Sequence, residues 1–186
     1  MRTRFTNRLA ELKVSDVNDS FREALDQIET NGVTVLHVLE DGDSLSWTYS
    51  TGLYDTYGQP EIIVSGFPSG LGGYVIHEAA SRMEKGEVLK EDVRIAGMIS
   101  NVDTIFLPIE SRWKERLMLR TCKFYGNSDF PAMQCICPDF QNLFPWEQDF
   151  DQHWRNRQVQ FFQGAKATKL EKQFWDATGP GDRKVH

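Results

Sequence analysis

The pattern of hydrophobic and polar positions predicts a protein of mixed helices and strands. Apolar residues at helical spacing predict a helix from about Asp16 to Thr30, and Asn31-Gly32 supplies a stop. The β-branched run from Val33 to Leu39 predicts a strand. Asp41-Gly42 predicts a turn into a second strand, from Leu45 to Leu53. The first third of the chain is therefore expected to form a helix and a β-hairpin.

The rest of the chain also alternates between segments with helix-like and strand-like patterns of apolar residues. Glu61 to Ser65 predicts a short strand, and a glycine-rich turn from Gly66 to Gly73 leads into a helix that ends near Gly86. Val93 to Ile99 and Thr104 to Ile109 predict a second strand pair. A further helix is predicted to begin at Ser111, its cap, and to end at Gly126, with its inner face formed by Trp113, Leu117, Thr121 and Phe124. The remaining predicted elements are a strand from Met133 to Cys137, a loop from Pro138 to Phe150 and a helix from Lys166 to Ala177.

The order of these elements indicates the fold class. Neighbouring strands joined by short turns favour a mostly antiparallel sheet with helices packed on it, which is an α+β fold. Helices do not follow each strand, so a doubly wound parallel sheet is disfavoured. We expect an N-terminal extension over residues 1–14, a single domain over 15–163, and a C-terminal helix with a flexible tail over 164–186.

Composition and charge narrow the class of protein. The chain is 40% hydrophobic, enough for one continuous core, and it has no apolar run long enough to cross a bilayer. No secretory signal is recognised at the N-terminus, and an odd number of cysteines, 3, does not suggest disulfides, so we expect a soluble cytoplasmic protein. The net charge of −6 makes nucleic acid an unlikely partner.

Two segments carry a resemblance to a known family. The first runs from Trp47 to Gly66 and contains Thr51-Gly52-Leu53 and Pro60-Glu61. The second contains Gln134, Pro138-Asp139 and Phe144-Pro145-Trp146. Together they resemble domain-of-unknown-function family 4262, an uncharacterised bacterial group. The likeness covers roughly residues 32–147 and implies a shared fold, but it implies no reaction, cofactor or catalytic residue.

Polar side chains at strand ends in these two segments form one candidate ligand site. If the segments meet, the side chains could line a polar pocket of an enzyme or a small-molecule sensor. In the alternative interpretation the same side chains bond turn backbone, and Asp139 caps a turn. The candidate ligand-binding residues are Thr48, Thr51, Glu61, Gln134 and Asp139.

A second hypothesis, which the sequence slightly favours, is an interaction module. The loop Asp139 to Asp151 is acidic and aromatic, and its candidate contact residues are Trp146, Glu147 and Asp149. The basic helix from Arg112 to Lys123 could make a self-contact with it, because complementary patches steer association. Alternatively Trp146 only covers the core, and the charges form solvated surface that pairs internally. The predicted partner is a protein or a second copy of the chain.

The cysteine, histidine and glycine patterns argue against metal, redox and nucleotide sites. Cys135 and Cys137 share a strand face, where packing as small hydrophobes is favoured over a redox or metal pair. No histidines have metal-ligand spacing, and the glycine-rich segment lacks nucleotide-loop spacing. We therefore predict no metal site and no cofactor. No pattern identifies an enzyme, and none excludes one.

Overall fold

A computed structural model describes residues 4–15, 17–39 and 46–162 of the chain. The helices in this part are α1 (Arg8–Lys13), α2 (Asp19–Asn31), α3 (Leu53–Tyr57), α4 (Ser69–Glu84), α5 (Ser111–Leu117), α6 (Leu119–Tyr125) and α7 (Gln152–Arg157). The strands are β1 (Thr34–Val38), β2 (Trp47–Thr51), β3 (Glu61–Ser65), β4 (Ile95–Ile99), β5 (Val102–Pro108) and β6 (Ala132–Ile136). The predicted turn at Asp41-Gly42 and the predicted helix over 166–177 lie outside the described residues.

The strands form one six-stranded sheet in the order β1-β2-β3-β6-β5-β4. β3 and β6 pair in parallel at its centre, and every other neighbouring pair is antiparallel. This sheet confirms the predicted α+β fold, with a mostly antiparallel sheet. No helix in the described part of the chain is long and apolar enough to cross a membrane.

Helices cover both faces of the sheet. On one face, Val75 and Ile76 of α4 pack over Ile62 and Val64. On the other face, α5 and the segment 158–162 pack over Trp47, Tyr49 and Ile63. Both sides of β2 are covered: Trp47 and Tyr49 are 3% and 4% exposed, and Thr48 and Ser50 are 2% and 0% exposed.

Glycines end two helices where the sequence predicts they should. Gly32 and Gly126 follow α2 and α6 with φ angles of 82° and 79°, and their N–H groups bond Ile28 O and Cys122 O. Only glycine adopts this left-handed conformation without strain. Both predicted helix ends are confirmed.

The helix predicted after Ser111 is instead two short helices. The helix is interrupted at Met118, whose φ and ψ are −115° and 47°. Glu110 is the N-cap residue and Ser111 is already helical, without a side-chain cap. The indole nitrogen of Trp47 donates to Leu117 O at 3.0 Å and so satisfies a carbonyl that the break leaves open.

The glycine-rich segment was predicted as a turn, but α4 begins within it, at Ser69. A Cβ atom on Gly72 would lie 2.6 Å from Thr48 Oγ1 of β2. Glycine therefore lets the first turn of α4 approach the sheet closely.

Residues 4–14, which the sequence assigned to an extension, pack as part of the domain. Leu9 of α1 is 3% exposed and lies in one cluster with Phe21, Ile28 and Phe124. The segment is held because the buried side chain of Asp55 takes its hydrogen-bond donors from it, as described below.

Candidate binding cleft

Glu61 is fully buried at the start of β3, and four donors surround its carboxylate. Oε2 accepts from Ser50 Oγ at 2.5 Å. Oε1 accepts from the N–H groups of Gly52 at 2.8 Å and Tyr54 at 3.2 Å, and from Tyr125 Oη at 2.5 Å. Burial raises the pKa of Glu61 above its usual value, while these four hydrogen bonds favour the ionised form. The carboxylate thus caps the first turn of α3 and ties it to α6.

A second buried carboxylate, Asp55, lies next to this group. Its oxygens accept from Arg4 Nη1 at 2.9 Å, from the Thr6 hydroxyl and from Arg8 N at 3.1 Å. Tyr125 joins the two groups, because Tyr125 Oη accepts from the Asp55 N–H at 3.1 Å and donates to Glu61. Burial and the nearby Glu61 charge raise the pKa of Tyr125. Asp55 thus holds the N-terminal segment against α3, and Glu61 joins α3 to Tyr125 of α6.

Three of the other candidate ligand residues are also bonded to neighbouring elements. Thr48 Oγ1 is 3.0 Å from His37 Nδ1, and Thr51 Oγ1 is 2.7 Å from Thr121 Oγ1. The Gln134 amide donates to Val159 O at 2.5 Å and accepts from Phe161 N at 2.7 Å. Gln134 therefore fastens the segment 158–162 to the sheet face.

Asp139 organises the loop that follows β6. One oxygen accepts from Gln141 N at 2.8 Å and Leu143 N at 3.0 Å, and the other from Asp151 N at 2.9 Å. Burial opposes ionisation, but these three backbone donors outweigh it and hold the pKa of Asp139 below its usual value. Asp139 thus caps turns, as one of the two interpretations of the sequence holds.

The structure does not bring the five candidate ligand residues into one pocket. Glu61 is level with Ala132, the first residue of β6, while Asp139 follows the last one, Ile136. The two ends of β6 are four residue steps apart, about 13 Å at 3.3 Å per residue, and Asp139 lies three residues beyond the second end. The set forms separate hydrogen-bond networks, and a ligand role for any one member stays a prediction.

The two cysteines of β6 lie in the core under α4. Cys135 and Cys137 are 0% and 3% exposed, as packing small hydrophobes would be. Contact with the Cys137 thiol and burial raise the pKa of Cys135, so it is held as a neutral thiol. Among the described residues, no group of three or more His, Cys, Asp or Glu side chains could hold a metal ion.

The predicted acidic and aromatic loop is ordered around Phe144. Trp146 stacks on the buried Phe144 ring at 5.3 Å, with its own side chain 49% exposed. Glu147 Oε2 accepts from Phe144 N at 2.6 Å, and its carboxylate also bonds Arg94 Nη2 at 2.9 Å. Glu147 therefore fixes the loop, whereas Trp146 and the exposed Asp149 are available at the surface.

Trp146 lines a cleft of about 490 Å³, which we call the Trp146 cleft. Its lining residues are Glu91, Asp92, Leu107, Pro108, Trp146 and Phe162. The walls come from four segments, and backbone hydrogen bonds link three of them. Asp92 N bonds Phe106 O at 3.0 Å, and Glu110 N bonds Phe161 O at 3.2 Å. The side chains of Glu91 and Asp92 are exposed and have no hydrogen bond or ion pair among the described residues.

The basic segment from Arg112 to Lys123 is largely engaged within the chain. Arg112 pairs with Glu110, and Lys114 is buried with its ammonium group 2.8 Å from Phe130 O. Arg120 bonds Ser20, and the Lys123 ammonium lies 4.8 Å from the centre of the Phe21 ring. These contacts match the interpretation that the basic charges pair internally.

Comparison with known proteins places the chain in a family. The model of a family described as Domain of unknown function (DUF4262) matches residues 27–151. The chain belongs to the DUF4262 family. The match confirms the resemblance and extends it a few residues beyond 32–147 at each end. No curated protein and no solved structure matches the chain.

The DUF4262 match ends at Asp151 and begins before β1, so it includes Glu91, Asp92 and Trp146 but not Phe162. Sequence reasoning identified only Trp146 among the residues that line the cleft. Glu91 and Asp92 gave no signal of their own, because acidic residues in a loop are most often solvated surface.

Proposed function

We propose that this DUF4262 chain is a binding module whose Trp146 cleft takes a basic side chain of a protein partner. The observation that carries the proposal is a half-exposed tryptophan ring that shares one cleft with Glu91 and Asp92. A large exposed ring is costly to leave in water, and a cation over a tryptophan face is the strongest form of the cation–π contact.

The chemistry of the lining favours arginine over lysine. A planar guanidinium group stacks on an indole ring and bonds carboxylates in a bidentate manner, whereas an ammonium group is a strongly hydrated point charge. Leu107, Pro108 and Phe162 provide apolar surface for the methylene stem of the side chain. The net charge of −6 would also attract a basic partner over a longer range.

An enzyme or small-molecule sensor, the alternative function, has weaker support. It needs Glu61 and Asp139 to act in one pocket, but each is saturated by its own donors at a different end of β6. A partner site built on Trp146, with Asp149 in the same loop, needs no rearrangement of buried hydrogen bonds.

The test compares three capped peptides: tetra-arginine, tetra-lysine and tetra-glutamate. Calorimetric titration should give the tightest binding for tetra-arginine, weaker binding for tetra-lysine and none for tetra-glutamate. Trp146→Ala should weaken tetra-arginine binding at least about fivefold, because a cation–π contact contributes about 1 kcal/mol. Glu147→Ala is not a suitable variant, since Glu147 fixes the loop.

The double variant Glu91→Gln with Asp92→Asn tests the carboxylates. Its matched control is Asp19→Asn with Glu23→Gln, which likewise removes two charges, both from exposed positions of the distant helix α2. We expect the double variant to weaken tetra-arginine binding several-fold and the control to leave it unchanged. If the three peptides bind equally, or if Trp146→Ala has no effect, the proposal is wrong.

A further inference from the structure

A second cleft lies between the C-terminal half of α4, the segment 87–94 and β4, with a volume of about 310 Å³. Its floor is apolar: Ala79 and Met83 of α4 meet Met98 of β4 there, and all three belong to the main core cluster. The volume is at the lower end of the range for small-molecule pockets, which is about 300–1,000 Å³.

The charge at the rim of this cleft is opposite to that of the whole chain. Its lining includes three cations, Arg82, Lys90 and Arg94, and one carboxylate, Glu87. The chain as a whole has a net charge of −6. These side chains place cationic groups at the edge of an apolar floor.

The three cations are not equally available to a ligand. Arg82 Nε bonds Glu78 at 2.8 Å, and Arg94 Nη2 bonds Glu147 at 2.9 Å. Lys90 is exposed and has no hydrogen bond or ion pair among the described residues. Lys90 is thus the cation that can bind an incoming anionic group without losing a carboxylate partner.

We propose that this cleft binds a small amphipathic monocarboxylate, with its apolar body on Met83 and Met98 and its carboxylate on Lys90. The apolar body takes the place of water on the floor, and the ammonium group neutralises the head group at the rim. This site is separate from the Trp146 cleft, and its ligand has the opposite charge.

Octanoate, octanol and octyltrimethylammonium, which share one apolar chain, test the proposal. Methyl NMR on protein labelled at methionine reports the floor directly. Octanoate should shift the Met83 and Met98 methyl signals saturably, while Met118, which packs under the opposite face of the sheet, stays unchanged. Octanol should bind more weakly and octyltrimethylammonium should not bind.

The head-group contact is tested by Lys90→Glu, with Lys85→Glu as the matched control. Both lysines are exposed, and Lys85 does not line the cleft. We expect about a threefold to fivefold loss of octanoate affinity for Lys90→Glu and no change for Lys85→Glu. Octanoate binding to the unaltered protein should also weaken as salt rises. Equal shifts with octyltrimethylammonium, no shift with octanoate, or equal effects of the two variants would overturn the proposal.

Discussion

At the scale of single residues, buried polar side chains are satisfied mainly by backbone groups and hydroxyls of neighbouring elements. Gln134 and Gln158 are examples, because each side chain bonds the backbone of the segment that carries the other. Gln134 bonds the backbone at Val159 and Phe161, while the Gln158 amide bonds the Cys137 N–H and C=O at 2.8 and 2.9 Å. Side-chain amides thus complete hydrogen bonding where the segment 158–162 crosses β6.

The raised pKa of Glu61 predicts a pH dependence of stability with a definite sign. The folded state binds the Glu61 proton more tightly than the unfolded chain, whose glutamate pKa is about 4.3. This contribution to stability is therefore fully present below about pH 4.3 and is lost as the pH rises through the folded pKa. Chemical denaturation of the wild type and of Glu61→Gln, at a series of pH values, isolates the effect.

The difference in unfolding free energy, wild type minus Glu61→Gln, should fall as the pH rises above about 4.3 and then level off. The fall is about 1.4 kcal/mol for each pH unit between the unfolded and folded pKa values. A difference that instead rises with pH below about 4.3 and is level above it would show that the four donors lower the pKa of Glu61.

The Asp139 carboxylate is expected to stabilise the loop over residues 139–151. Asp139→Ala leaves three backbone N–H groups without their acceptor, and we expect a loss of about 3 kcal/mol in the free energy of unfolding. Asp149→Asn is the control in the same loop, because Asp149 is exposed and asparagine tolerates its left-handed backbone, whose φ is 67°. Urea denaturation measures both variants, and equal stabilities would contradict the capping role.

At the scale of elements, the helix and strand boundaries follow local signals where these exist. β3 matches its predicted range, and Gly32 and Gly126 end helices as predicted. The break at Met118 could not be predicted, because apolar spacing is continuous from Trp113 to Phe124. It depends on a long-range contact, in which Trp47 of a distant strand bonds Leu117 O.

The glycines at the start of α4 give an element-scale prediction. Gly72→Ala should lower the free energy of unfolding by about 1–3 kcal/mol, because the new methyl group would be 2.6 Å from Thr48 Oγ1. Gly70→Ala is the matched control in the same turn, since a methyl group there would have no atom within 4 Å. In thermal unfolding, the stability of Gly70→Ala should be equal to or slightly above that of the wild type, because alanine is a better helix former than glycine.

At the scale of the whole molecule, the sequence predicted the fold class better than the candidate site. Alternating periods and turn residues were sufficient to predict the mostly antiparallel sheet. The location of the Trp146 cleft depends on which strands are neighbours in the sheet. β6 is inserted between β3 and β5, although a long connection separates it from β5 along the chain. The sequence separates Glu91 from Trp146 by a helix pair and three strands, so no local pattern could join them.

The measurement that tests the central claim most directly is the position of the Trp146 indole N–H signal during titration with tetra-arginine. The signal is assigned by its absence in Trp146→Phe, and the buried Trp47 and Trp113 serve as internal references. The account predicts a saturable shift of Trp146 and unchanged references, and in Glu91→Gln with Asp92→Asn the same shift should require several-fold more peptide. An unmoved Trp146 signal at saturating peptide would contradict the assignment of the Trp146 cleft as a binding site.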